Sequence, residues 1–305
     1  MIWFFIALIG PFMYALTNHI DKILLEKYFK EGGVGTIIIL SSLISVIPLP
    51  FFFFADKAVL DVGFIKIIAL IAVGILNALV LWCYLLALKN EEASVAIVFY
   101  QLVPVFAYIL GYFILGEVLT HIQLIAMAII ILGTTIISFE IDSENNFKLR
   151  RKTIIPMLAA SFFWALGSVI FKAVALEENV WRSLFWEHLT LFLIGIAIFI
   201  FIRSYRTNFL LALRNNSKAV LSLGATNEFL YILGNLAFAF AYMLAPIALV
   251  LLTDSFQSIF ALIVGVFLTI FFPKISIEKI QAKHLWPKII AICITGIGTY
   301  LLFMK

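Results

Sequence analysis

The chain has 305 residues, 64% of them hydrophobic and 12% charged, with a mean hydropathy of +1.15 and a formal net charge of +4. A soluble domain carries roughly 25% charged residues, so this composition excludes a water-covered globular surface and indicates a polytopic membrane protein. The excess base lies mostly in short loops, where it serves membrane topology, and gives no indication of nucleic acid.

Apolar runs of about 20 residues follow one another with short breaks, each long enough to cross the hydrocarbon core as a helix. The runs are continuous, unlike the alternating ten-residue segments of a transmembrane β-barrel. Ten spans are expected, at about 2–25, 35–54, 64–88, 92–115, 119–139, 154–176, 183–203, 218–243, 247–271 and 286–304. The first lacks a basic leader and a small-residue cleavage site and runs too far for a signal-peptide core, so it reads as a retained helix. Cys83 and Cys293 fall inside spans and read as small apolar residues, with neither a disulfide framework nor a metal site implied.

The longest charged connector, 140–152, divides the chain after the fifth span. The expected domains are a five-helix unit over 1–139, a linker loop over 140–152 and a second five-helix unit over 153–305. The two units echo each other. Phe12-Met13-Tyr14-Ala15-Leu16, with Ile20 and Lys22, recurs as Phe162-Phe163-Trp164-Ala165-Leu166, with Ile170 and Lys172. Phe106-Ala107 with Gly111 likewise matches Phe260-Ala261 with Gly265. An odd number of spans per unit makes the second enter the membrane from the opposite side, so the repeats are inverted. Exchanging the conformations of such halves converts a cavity open to one face into a cavity open to the other.

These residues resemble the drug/metabolite transporter superfamily in its ten-helix EamA-type form. The fourth span carries Pro104-Val105-Phe106-Ala107, then Gly111, then Leu115-Gly116-Glu117. The aromatic-Ala-Leu segments with Lys22 and Lys172 fall where EamA repeats carry similar residues. The second half departs from the pattern, with Ser258 where Pro104 stands and Phe271 where Glu117 stands. The resemblance implies an all-α integral membrane protein of ten transmembrane helices in two inverted repeats.

The two topology arguments conflict. The resemblance implies cytoplasmic termini. On the side of the termini lie Lys57, Lys66, Arg182 and Lys305, and fifteen basic residues lie on the other. The positive-inside rule therefore favours external termini.

Polar groups inside spans are costly and usually face a bundle interior or a wet cavity. In the first span Tyr14, Asn18 and Lys22 share a face at a spacing of four, with His19 and Asp21 beside them. Asp21 offers Lys22 a local partner. Asn77, Trp82 and Tyr84 in the third span are weaker lining candidates. Gln101 precedes Pro104 in the fourth, and a proline there frees a carbonyl for a ligand or water. Trp164 is the repeat mate of Tyr14, and Lys172 that of Lys22; each lysine attracts an anion or snorkels to the headgroups. Glu187-His188 in the seventh span reads as a pairing with Arg182 near the interface. The eighth span has the clearest set, because Gly224, Glu228, Tyr231 and Asn235 form one helical stripe with Asn227 beside it. A mid-span carboxylate at Glu228 needs a cation, a proton or a bound substrate. Asp254 in the ninth span sits in Thr253-Asp254-Ser255, followed by Gln257 and Ser258.

The expected substrate-binding or coupling residues are therefore Glu228, Asp254, Tyr231, Asn235, Asn18, Gln101, Trp164 and Lys172. No nucleotide loop, zinc-protease motif, dinucleotide fingerprint or nucleophile elbow is present, so no catalytic residue, metal or cofactor is assigned. The expected function is secondary transport of small organic solutes or metabolites by alternating access, with proton or ion coupling as an option. A lipid-linked substrate flippase is the alternative, and an intramembrane enzyme the more remote one. The expected partners are a small-molecule substrate and the bilayer, with a homodimer left open, and the expected location is the plasma membrane.

Overall fold

The computed structural model describes residues 2–29, 33–88, 99–141, 151–271 and 282–303, and every regular element among them is helical. Helix α1 (Ile2–Ile23), ending in a π turn over Leu24–Tyr28, is the first span. Helices α2 (Gly33–Ile44) and α3 (Leu49–Ala55) make the second. Helices α4 (Phe64–Leu88), α5 (Val103–Leu115) and α6 (His121–Ile141) complete the first half. The second half contains α7 (Arg151–Glu177), α8 (Val180–Phe201), α9 (Arg203–Tyr242), the pair α10 (Ile247–Leu252) and α11 (Gln257–Phe271), and α12 (Ala282–Leu302). The connector expected at 140–152 lies largely outside the described residues, as do residues 92–98 of the expected fourth span.

Six helical segments are long and apolar enough to cross a membrane: Ile2–Ile23, Val34–Ala55, Phe64–Ala87, Ile154–Glu177, Val180–Phe201 and Ile247–Leu268. Val103–Leu115, His121–Gly133 and Ile292–Leu302 are shorter apolar helices. The eighth span falls outside both sets because Asn227, Glu228 and Asn235 lower its hydropathy. The chain is an integral, multi-pass membrane protein. Phe5, Phe64, Ile65, Phe113 and Phe201 are exposed on the outer surface, where lipid rather than water solvates large apolar side chains.

Two boundaries differ from expectation. Helix α9 starts at Arg203, well before 218, and its backbone leaves the helical region at Asn216 (φ −146°, ψ 42°). Arg203, Arg214 and Lys218 are exposed there. This basic, polar stretch is unsuited to the hydrocarbon core, so it forms an approach segment and the span proper follows the kink. The ninth span is also interrupted, by a 3-10 turn over Thr253–Phe256. A turn at Gln101-Leu102 precedes α5 at the equivalent place in the first half, with Pro104 in its first helical turn. Pro104 has no N–H to donate, which makes a helix start the compatible position for it.

The packing obeys a twofold exchange of the halves. Span one packs on span eight as span six packs on span three, and span nine packs on span one as span four packs on span six. Spans three and seven pair as eight and two do, while two with seven, four with nine and five with ten are their own images. Without a hydrophobic force between helices in lipid, such contacts depend on close van der Waals approach and hydrogen bonds. Small residues permit the approach. A Cβ on Gly234 would meet the Tyr14 ring at 2.6 Å, and one on Gly74 would meet Thr190 Cβ at 2.6 Å.

Candidate functional site

A cavity of about 150 Å³ opens between the two halves. Its wall takes Tyr14, Asn18 and Asp21 from span one, Ser42 and Ser45 from span two, and Asn77 and Tyr84 from span three. The second half supplies Trp164 and Ser168 from span six, Glu187 from span seven, and Asn227, Glu228, Tyr231 and Asn235 from span eight. Tyr100 and Gln257 enter from the interrupted spans four and nine.

Three carboxylates define the polar part, each buried and each held by a neutral donor. Asn227 Nδ2 donates to Asp21 Oδ1 at 2.8 Å, and Ser45 Oγ to Glu228 Oε1 at 3.0 Å. Glu187 Oε1 accepts from Asn77 Nδ2 at 2.8 Å and from Asn235 Nδ2 at 3.0 Å. These bonds tie span eight to spans one, two and seven, and span three to span seven. Among the described residues the lining contains no Lys, Arg or His, and no ion pair involves these acids.

Aromatic rings form the rest of the wall. Tyr14 stacks on Tyr231 with centroids 5.6 Å apart and meets Trp164 edge-on at 6.0 Å. Tyr100 is perpendicular to Trp164 at 5.0 Å and stacks with Tyr84 at 6.0 Å. Tyr84 donates its hydroxyl to Asn18 Oδ1 at 3.0 Å. Tyr14 and Trp164, repeat mates in the sequence, therefore touch across the interface of the halves.

Of the expected site residues, Glu228, Tyr231, Asn235, Asn18 and Trp164 line the cavity, and Asp254, Gln101 and Lys172 do not. Asp254 is buried in the 3-10 turn of span nine, and both of its carboxylate oxygens lack a hydrogen-bond partner. Gln101 is buried beside the turn before α5. Lys172 neither snorkels nor faces the cavity: its ammonium is 2.5 Å from Glu117 Oε1 and donates to Ala245 O at 2.6 Å. Gly116, in the left-handed region at φ +67°, stops α5 and turns the chain. The other Glu117 oxygen then accepts from Ile247 N–H at 2.7 Å, at the start of α10. The Leu115-Gly116-Glu117 segment is thus a clasp joining spans four, six and nine.

Asp21 and Glu187 were read from sequence as local ion-pair partners, and the structure places both in the cavity. Arg182 instead binds Asp56 Oδ2 through Nε at 2.7 Å and Glu178 Oε2 through Nη1 at 2.9 Å. Lys66 extends this network, 2.7 Å from Glu178 and 3.0 Å from Glu177. Asn179 donates to Asp56 at 2.6 Å. The hydrogen bonds from Asn179 and Arg182 hold the Asp56 carboxyl down to about 2, and Lys66 holds Glu178 below its ordinary value. This second clasp joins the loop between spans two and three to the loop between spans six and seven.

Residues 1–139 match the model of the EamA-like transporter family. Among solved structures 28 chains match. One crystal structure has a TM-score of 0.63 and 13% sequence identity, covering 99% of this chain and 95% of its own. At that identity the likeness shows a shared fold. No curated protein matches.

Proposed function

We propose, from the membership of residues 1–139 in the EamA-like transporter family, that this chain is a secondary transporter working by alternating access in the plasma membrane. The family implies a membrane transporter of small solutes rather than an enzyme. One observation carries the mechanistic reading: the polar cavity lies between two halves whose packing is related by exchange, so each wall has a counterpart able to move the opposite way.

A cavity near 150 Å³ is about the size that holds a benzene-sized molecule, which sets the scale of the solute. Coupling is assigned to Glu228 and Asp254. Among the described residues Glu228 has the Ser45 hydroxyl as its one hydrogen-bond partner and Asp254 has none, so each takes a proton or cation during the cycle. Besides Glu228, the titratable groups of the lining among the described residues are Asp21, Glu187 and five tyrosines.

Alternating access is testable without knowing the solute. Val80 lines the cavity, and Val80→Cys in a Cys83→Ala, Cys293→Ala background provides one reporter thiol. The full chain in liposomes should react with an impermeant maleimide added to either face. Reaction from one face alone under every condition would overturn the mechanism. Uptake of metabolite pools under a pH gradient then tests coupling, and transport unchanged in Glu228→Gln and Asp254→Asn would remove those two residues from it.

A further inference from the structure

We infer that the solute is a small organic cation, an ammonium group on an apolar body, bound with its charge toward Asp21, Glu187 and Glu228. The inference deepens the transport reading and rests on it.

The carboxylates alone would not make a site. The independent observation is a set of unpartnered polar atoms in the same wall. Asn227 donates to Asp21 through Nδ2, which leaves its Oδ1 without a partner. Gln257 Oε1 also has none. Both side chains are more than nine-tenths buried, at 7% and 2% exposure, and both line the cavity. Buried polar atoms in native proteins are almost always hydrogen-bonded, so orphaned ones that line a cavity point to a ligand supplying the missing partner. These two are acceptors and require a donor. Asn18 Nδ2 is the unpartnered donor of the wall, suited to a hydroxyl or carbonyl on the same solute.

Charge and shape narrow the class further. An anionic solute would meet three carboxylates and, among the described lining residues, no Lys, Arg or His. A neutral solute would leave the acids to protons for their neutralisation and would offer the ring faces no cation. A bare inorganic cation would satisfy the oxygens but make no use of Tyr14, Trp164, Tyr100 and Tyr231, whose rings wall the cavity. Ring faces attract ammonium groups and bury their apolar bodies, so acids and rings together favour an organic cation.

Three probes of one shape and different charge test this: benzylammonium, benzyl alcohol and benzoate, added to the purified full-length protein at pH 7. Thermal shift and titration calorimetry should detect benzylammonium binding at least tenfold tighter than either of the others. Glu228→Gln and Glu187→Gln, which keep side-chain size, should each weaken it at least tenfold with little change in the melting temperature of the unliganded protein. Absence of benzylammonium binding, equal or tighter binding of benzoate or benzyl alcohol, or stabilisation by sodium chloride alone would each overturn the assignment. Wild-type selectivity decides the question even if a variant fails to fold. The maleimide test separates the two levels, because alternating access without cation selectivity would reject the solute class and leave the transport mechanism standing.

Discussion

Lys22 and Lys172 occupy matching places in the two halves, yet their surroundings differ. Lys172 is 5% exposed, paired with Glu117 and bonded to Ala245 O, in a clasp that also fixes Ile247 N–H. Lys22 is half-buried and makes no ion pair among the described residues, and Phe271 stands where symmetry would put an acid. The second clasp, around Asp56 and Arg182, lies on the same side of the membrane as the Glu117–Lys172 clasp. Among the described residues these polar contacts hold one end of the helix bundle, and under the proposed alternating access they would favour one state over the other. An element of this kind shifts a conformational equilibrium by the free energy it contributes to one state alone.

The largest effect should come from breaking the buried pair on one side only. Glu117→Ala leaves the Lys172 ammonium buried and uncompensated, a loss of ~3–5 kcal/mol that would appear as a sharply lower melting temperature. Adding Lys172→Met to Glu117→Ala should recover most of that loss. Lys22→Met, at the matching place, should stay within about 0.5 kcal/mol of wild type. An equal penalty at both lysines would erase the distinction between the halves.

Next in size is the helix contact behind Glu187. A Cβ at Gly74 would meet Thr190 Cβ at 2.6 Å and Glu187 O at 3.0 Å. Gly74→Val should therefore push spans three and seven apart at a cost of about 1–3 kcal/mol. It should also weaken benzylammonium binding, because Glu187 moves with the contact. Normal binding and stability in this variant would mean that the two spans are not closely packed.

Supplying the missing acid is a subtler test. Phe271→Glu should give Lys22 a partner and shift maleimide labelling at position 80 toward the opposite face about fivefold or more, the lower end of typical coupling energies. The smallest effect belongs to the half-buried clasp around Asp56. Asp56→Asn should cost about 1 kcal/mol or less at pH 7, read from melting temperature. The Asp56 carboxyl is held down to about 2 in the fold against about 3.9 unfolded. Its contribution is therefore complete above about pH 4 and lost as pH falls toward 2. Between pH 5 and 8 the stability difference between Asp56→Asn and wild type should not change.

Much of the architecture was legible from hydropathy. The span pattern and the polar stripe of span eight each follow from local composition, whereas the interruption of span nine at Thr253–Phe256 was not read from it. The helix that carries the eighth span starts before the expected span because Arg203 to Asn216 can be helical without being membrane-spanning. Asp21 and Glu187 were misread for a geometric reason. Lys22 is one residue from Asp21 and Arg182 is five from Glu187. A helix separates such positions by about 100° and about 140°, so each acid turns inward while its charged neighbour turns elsewhere.

By itself, the sequence determined a multi-pass helical membrane protein, because apolar length is a property of the chain read locally. Only the tertiary structure decided which polar residues meet. Asp21 joins Asn227, and Glu187 joins Asn77 and Asn235, across more than forty residues of chain in every case. It likewise decided that Lys172 is clasped by Glu117. Each of those outcomes depends on a partner contributed by another span, and no local pattern carries that partner's position.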